Sequence, residues 1–123
     1  MKIRIKGNSI RLRLTKTDVQ NLKELGKLEE KTIFSETEVF KYSLEIDESN
    51  IGISAKFDQN KISIFLSKKN VKTLTETDEI TVQGNQKNGT ANGLFLLIEK
   101  DLECLDSTTE DQSDMYKNTK TVC

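Results

Sequence analysis

The residues best suited to chemistry stand at the start of the sequence, MKIRIKGNSIRLRLTK. Lys2, Arg4, Lys6, Arg11, Arg13 and Lys16 fall in this stretch, and no acid does. Gly7-Asn8 is a two-residue turn signal between two alternating runs. Side chains alternate between the faces of a strand, so Met1, Ile3, Ile5, Ile10, Leu12 and Leu14 share one face. Lys2, Arg4, Arg11 and Arg13 share the other. A two-residue loop predicts Ile5 opposite Ile10, Ile3 opposite Leu12, Arg4 opposite Arg11 and Lys2 opposite Arg13. Like charges directly opposite destabilise a strand pair by a few tenths to about 1 kcal/mol. An anion is therefore expected over this face, and arginine forks suit phosphate or carboxylate. Lys2, Arg4, Arg11 and Arg13 form the candidate anion-binding site. Its occupant is either an external anionic ligand or protein, or the chain's own acids: Glu29, Glu45, Glu99 or the acidic C-terminal segment. A solvated face whose lysines discourage edge pairing is the plainest reading.

A second set of reactive groups lies near the end. Cys104, Asp106, Asp111, Asp114 and Cys123 combine two thiols with carboxylates, ligand types that zinc accepts. Their spacing contains no C-x-x-C and the chain has no histidine. Two unrelated thiols beside a solvated acidic run explain the same residues. A Cys104–Cys123 disulfide or thiol-redox chemistry is the alternative use. The lack of histidine also excludes Ser-His-Asp and Cys-His catalysis within one chain. A further enzymatic reading is a tunnel barrel acting on phosphate esters. Such barrels open with an E-x-E-x-K strand, whereas this chain opens Lys2-x-Arg4-x-Lys6, and metal ligation would fall to acids such as Glu30 or Glu99. No catalytic residue and no cofactor is predicted.

The elements that must position these groups follow in order. Thr17 and Gln20 match a capping box, and Val19, Leu22 and Leu25 form one stripe ending at Gly26, which predicts a short helix over 17–25. Strand signals follow at Leu28–Phe34, Val39–Ile46, Ile51–Phe57 and Lys61–Leu66. The last three alternate with short polar turns between them, as an antiparallel meander does. Ser67 is an N-cap for a second short helix reaching about Leu74. Glu79–Gln83 reads as a short strand and Gly84–Gly93 as a loop. Leu94–Ile98 is apolar on both faces, as in a central strand. No internal repeat is read. The sum is an α+β domain: a mainly antiparallel, strongly curved sheet or partly open barrel of about 7–8 strands with two short helices. Residues 1–100 form one domain, and 101–123 an acidic tail packed on it or partly disordered.

Composition narrows the function classes. Nineteen Lys and Arg against 20 Asp and Glu give a net charge of −1, with 34% hydrophobic residues and neither Trp nor Pro. That balance, with no aromatic side chain between the basic ones, argues against nucleic acid. Met1 runs directly into a strand pattern, and no apolar run approaches the roughly 20 residues of a membrane span. A cytoplasmic protein with no membrane association, monomeric or a small homo-oligomer, is expected.

Two stretches, MKIRIKGNSIRLRLTKTDV and GLFLLIEKDLECLDSTTEDQSD, together with the terminal Cys123, resemble a family of small, uncharacterised bacterial proteins known as a domain of unknown function. The resemblance covers essentially the whole chain. It implies a single-domain bacterial protein and no activity. Relatives carry a Pro-containing segment before the last Cys, and here Tyr116-Lys117-Asn118-Thr119 has none. The reading that results is a small non-enzymatic binding domain whose basic hairpin face meets an anionic partner or its own acidic tail.

Overall fold

The computed structural model describes residues 1–102 and 113–116. Among them are eight strands and two helices: β1 (Lys2–Ile5), β2 (Ser9–Leu14), α1 (Lys16–Leu25), β3 (Lys27–Ile33), β4 (Val39–Ile46), β5 (Ile53–Asp58), β6 (Lys61–Leu66), α2 (Lys68–Glu76), β7 (Thr81–Gln86) and β8 (Leu94–Lys100). The α+β class, the strand number and the two helices are as expected. The arrangement is not. The strands form two four-stranded sheets, β1-β2-β8-β7 and β3-β4-β6-β5, that do not close into a barrel. Both sheets are mixed, because β2 pairs with β8 and β4 with β6 in parallel. The expected meander fails at this point: β6, not β5, lies beside β4. Helix α1 carries the chain from one sheet to the other, so the strands on either side of it cannot be neighbours in one sheet.

The topology contains the same ββαββ unit twice, over 1–46 and 53–100, correcting the expectation of no repeat. Ile10, Leu12 and Leu14 of β2 answer to Ile62, Ile64 and Leu66 of β6. Tyr42 and Leu44 of β4 answer to Leu96 and Ile98 of β8. The registers agree: Ile10 pairs with Leu96 and Leu12 with Ile98, as Ile62 pairs with Tyr42 and Ile64 with Leu44. The helices repeat too, with Val19 and Leu22 matched by Val71 and Leu74. Each sheet takes its first hairpin from one unit and its second from the other. Neither unit completes a sheet alone.

Helix α1 starts one turn signal earlier than the sequence indicated. Thr15, not Thr17, is the N-cap. Its hydroxyl accepts from the Asp18 N–H at 3.1 Å and the Asp18 carboxylate accepts from the Thr15 N–H at 2.9 Å. An acid at N3 closes a capping box as a glutamate does. Ser67 caps α2 in the same way, accepting from Asn70 N–H at 3.1 Å. Gly26 ends α1 in the left-handed region, φ 72°. Strand β7 extends through Gly84, a residue read as loop. A Cβ there would stand 2.5 Å from Ile53 Cγ2, so this glycine marks close approach of β5 rather than a chain break.

The helices pack on one another at one end of the two sheets. The β1–β2, β5–β6, β3–β4 and β7–β8 turns gather at the other. Burial follows this polarity. Leu12, Leu14, Ile64 and Leu66 are fully buried, whereas Ile10 and Ile62, nearer the turns, are 9% and 7% exposed, and Ile5 and Phe57 are 54% and 70% exposed. The core is sealed at the helical end and open at the hairpin end. Leu96, Leu97 and Ile98 are all buried, as a strand covered on both faces requires.

Candidate functional site

The hairpin forms with the register expected: Lys2 opposite Arg13, Ile3 opposite Leu12, Arg4 opposite Arg11 and Ile5 opposite Ile10. Lys6 and Ser9 exchange backbone hydrogen bonds of 3.1 Å across the two-residue turn, and Gly7 supplies its positive φ of 54°. Ile3, Ile10, Leu12 and Leu14 join the core, which holds Lys2, Arg4, Arg11 and Arg13 on the outer face.

The parallel pairing of β2 with β8 sets Glu99 beside Arg13. Arg13 Nε donates to Glu99 Oε1 at 2.7 Å, and Arg11 Nε lies 3.8 Å from the same oxygen. Lys2 Nζ donates to Asp101 Oδ2 at 3.3 Å. Of the acids expected as internal counter-ions, Glu99 takes this role among the described residues, and most of the acidic C-terminal segment lies outside them. Glu29 and Glu45 do not, for both lie on the other sheet and pair with Lys61 at 3.1 and 3.7 Å. Lys61 holds the Glu29 carboxyl below its usual range, and Glu29 in turn raises Lys61. Glu30 also lies elsewhere, accepting from the Met1 ammonium at 3.3 Å.

That ammonium forms a second charged centre. Met1 N lies 2.9 Å from Asp18 Oδ2. Burial alone lowers the amino group's pKa, but Asp18 and Glu30 outweigh it and the net shift is upward. For Asp18 burial raises the pKa, while hydrogen bonds from Thr15 and the ammonium outweigh it, and the net shift is downward. The repeat explains why this acid is unique to the first unit. Ile53, inside the chain, answers to Met1, and neutral Asn70 answers to Asp18.

Toward the hairpin turn the basic face becomes concave. Arg4, Lys6, Ser9 and Arg11, with Phe95 and Met115, line a cleft of about 320 Å³. Lys6, Ser9 and the two apolar side chains were not among the expected site residues. Phe95 comes from a neighbour of β2 that hydrophobic periodicity cannot identify, and Met115 from a segment with no periodicity. Arg4, Arg11 and Arg13 each have further interactions beyond those above, so none is a free cation. The cleft offers guanidinium and ammonium donors on one side and apolar walls on the other, while the Ser9 hydroxyl already donates to the Lys6 carbonyl at 2.6 Å.

The tunnel reading required cations facing the inside of a closed barrel, and here they face outward from an open sheet. The weak metal candidates Cys104, Asp106, Asp111 and Cys123 lie outside the described residues. Asp114 is described and exposed. Among the described residues no group of three or more His, Cys, Asp or Glu is placed to hold a metal ion. No helix of the described residues is long and apolar enough to cross a membrane.

Fold and cleft define a small α+β domain of two interlocked ββαββ units with a basic cleft on one outer face. A model of the family of unknown function DUF7009 matches residues 1–120, and the chain belongs to that family. No curated protein and no solved structure matches it.

Proposed function

We propose that the protein is a non-enzymatic binding domain that takes a small organic anion, a phosphate monoester or carboxylate, in the cleft of Arg4, Lys6, Ser9 and Arg11. The observation that carries this reading is the cross-strand pairing of Arg4 with Arg11 inside a concave site. Two guanidinium groups opposite one another give an anion seated between them two planar donors, beside the interactions those groups already make. Lys6 adds an ammonium group, and Phe95 and Met115 supply apolar surface for the organic part. At the other end of the face, Glu99 and Asp101 already answer Arg13 and Lys2.

The ligand class is tested by equilibrium titration of the full chain with inorganic phosphate and with phenyl phosphate. Saturable binding of both, tighter for the phenyl ester, is expected. Arg4→Ala and Arg11→Ala each weaken it about tenfold or more, the scale of a lost charge-assisted hydrogen bond. Absence of saturable binding in the wild-type protein ends this reading.

A further inference from the structure

The open end of the core is itself a cavity. Ile5, Ile10, Phe40, Phe57, Ile62 and Leu94, all from the inner faces of the two sheets, line a cleft of about 490 Å³. These residues fall into equivalent pairs of the two units: Ile5 with Phe57, Ile10 with Ile62, Phe40 with Leu94. The cleft is therefore built by the duplication itself, as the space between two hairpin tips that the helices, at the far end, do not plug. Its size lies within the range of small-molecule sites, roughly 300–1,000 Å³.

The chemistry of the lining selects the occupant. Gln86 supplies an amide to the wall, but both ends are already used: Ala55 N–H donates to Gln86 Oε1 at 2.6 Å and Gln86 Nε2 donates to Ala55 O at 3.0 Å. What enters the cleft meets hydrocarbon and needs no hydrogen bond. The charged side chain among its lining residues is a cation. Lys56 stands in the wall, 3.9 Å from Asp58 and 67% exposed. A flat bilayer surface would meet the convex tips of the turns, whereas the apolar side chains here face a concavity between sheets.

We infer that this cleft binds a single aliphatic chain with an anionic head group, a fatty-acid-type amphiphile, with the chain between Ile10 and Ile62 and the head beside Lys56. The inference is separate from the phosphate-type cleft on the outer face, although Ile10 borders both.

The test is calorimetric titration of the full chain with decanoate below its micellar range, with acetate as the head group alone and decanol as the chain alone. One-to-one decanoate binding is expected, with decanol weaker and acetate silent. Ile5→Ser and Phe57→Ser alter exposed side chains, and a wild-type circular dichroism spectrum verifies their fold. Each is expected to weaken decanoate about tenfold or more. No saturable decanoate binding, or equal binding by the wild type and Phe57→Ser, overturns the inference. So does self-association that Phe57→Ser abolishes without decanoate competing, which would assign the cleft to a second copy. Capture by anionic vesicles without binding of monomeric decanoate would assign it to a membrane and also overturns it. Retained decanoate binding in Arg4→Ala, with phosphate binding lost, separates the two clefts.

Discussion

Ile10 and Ile62 occupy equivalent places in the two units, each the first buried side chain beneath the hairpin turns, at 9% and 7% exposure. Two residues further along each strand the core is closed. The boundary between sealed core and accessible cleft thus falls at the same level in both halves.

This boundary predicts paired mutational effects. Leu12→Ala and Ile64→Ala, at equivalent and fully buried positions, should each cost about 2–5 kcal/mol. Ile5→Ser and Phe57→Ser, beyond the boundary, should stay within about 0.5 kcal/mol. Urea unfolding of the four variants checks this, and a large loss in either serine variant would place the closed core one level too deep.

The second prediction concerns the contact between the sheets at β5 and β7. Gln86 satisfies both the N–H and the C=O of Ala55, groups that no strand pairs on that side. Gln86→Leu should destabilise by about 1–3 kcal/mol by leaving them without partners. Gly84→Ala should cost about 1–3 kcal/mol through overpacking against Ile53. Equal stability of both variants and wild type in thermal unfolding would show that the edges are not in contact.

The third concerns pH. The Asp18 pKa is lowered on folding, so its contribution is present above the unfolded carboxylate value and is lost as pH falls through the folded one. The Met1 amino group is raised above its ordinary 8.0, so its contribution is present below pH 8.0 and is lost as pH rises through the folded value. Melting temperature should therefore fall on both the acid and the alkaline side. Asp18→Asn should lower the melting temperature between and flatten both limbs. An alkaline limb unchanged in Asp18→Asn would break the link between the two groups.

The fourth concerns Glu99. Glu99→Gln removes the charge that Arg13 and Arg11 share. Stability should change by no more than about 1 kcal/mol, since the pair is partly exposed. Phosphate affinity should rise roughly three- to tenfold as the local potential becomes more positive. A drop in affinity would show that Glu99 positions the arginines rather than competing for them.

The hairpin and its register were legible because alternation and a two-residue turn are local properties. The central place of β8 was legible because Leu94–Ile98 is apolar on both faces. Strand order was not. It depends on which units exchange hairpins, and Leu12 fits beside Ile98 no better by type than beside Ile64. The repeat was present in the sequence, in Asn8, Ile10, Leu14, Lys16, Val19 and Leu22 against Asn60, Ile62, Leu66, Lys68, Val71 and Leu74. The charges of the first hairpin masked it, since Arg11 and Arg13 correspond to Ser63 and Phe65. The cations of the outer cleft were visible in sequence, but its concavity and Phe95 wall arise only from the parallel β2–β8 pairing.

The most direct test of the proposed function is the amide spectrum of isotopically labelled protein titrated with phenyl phosphate. The account predicts saturable shifts confined to Arg4, Lys6, Ser9, Arg11 and Phe95, and their loss in Arg4→Ala. Shifts confined to Lys41 and Lys61 on the other sheet, or none at saturating ligand, would contradict it.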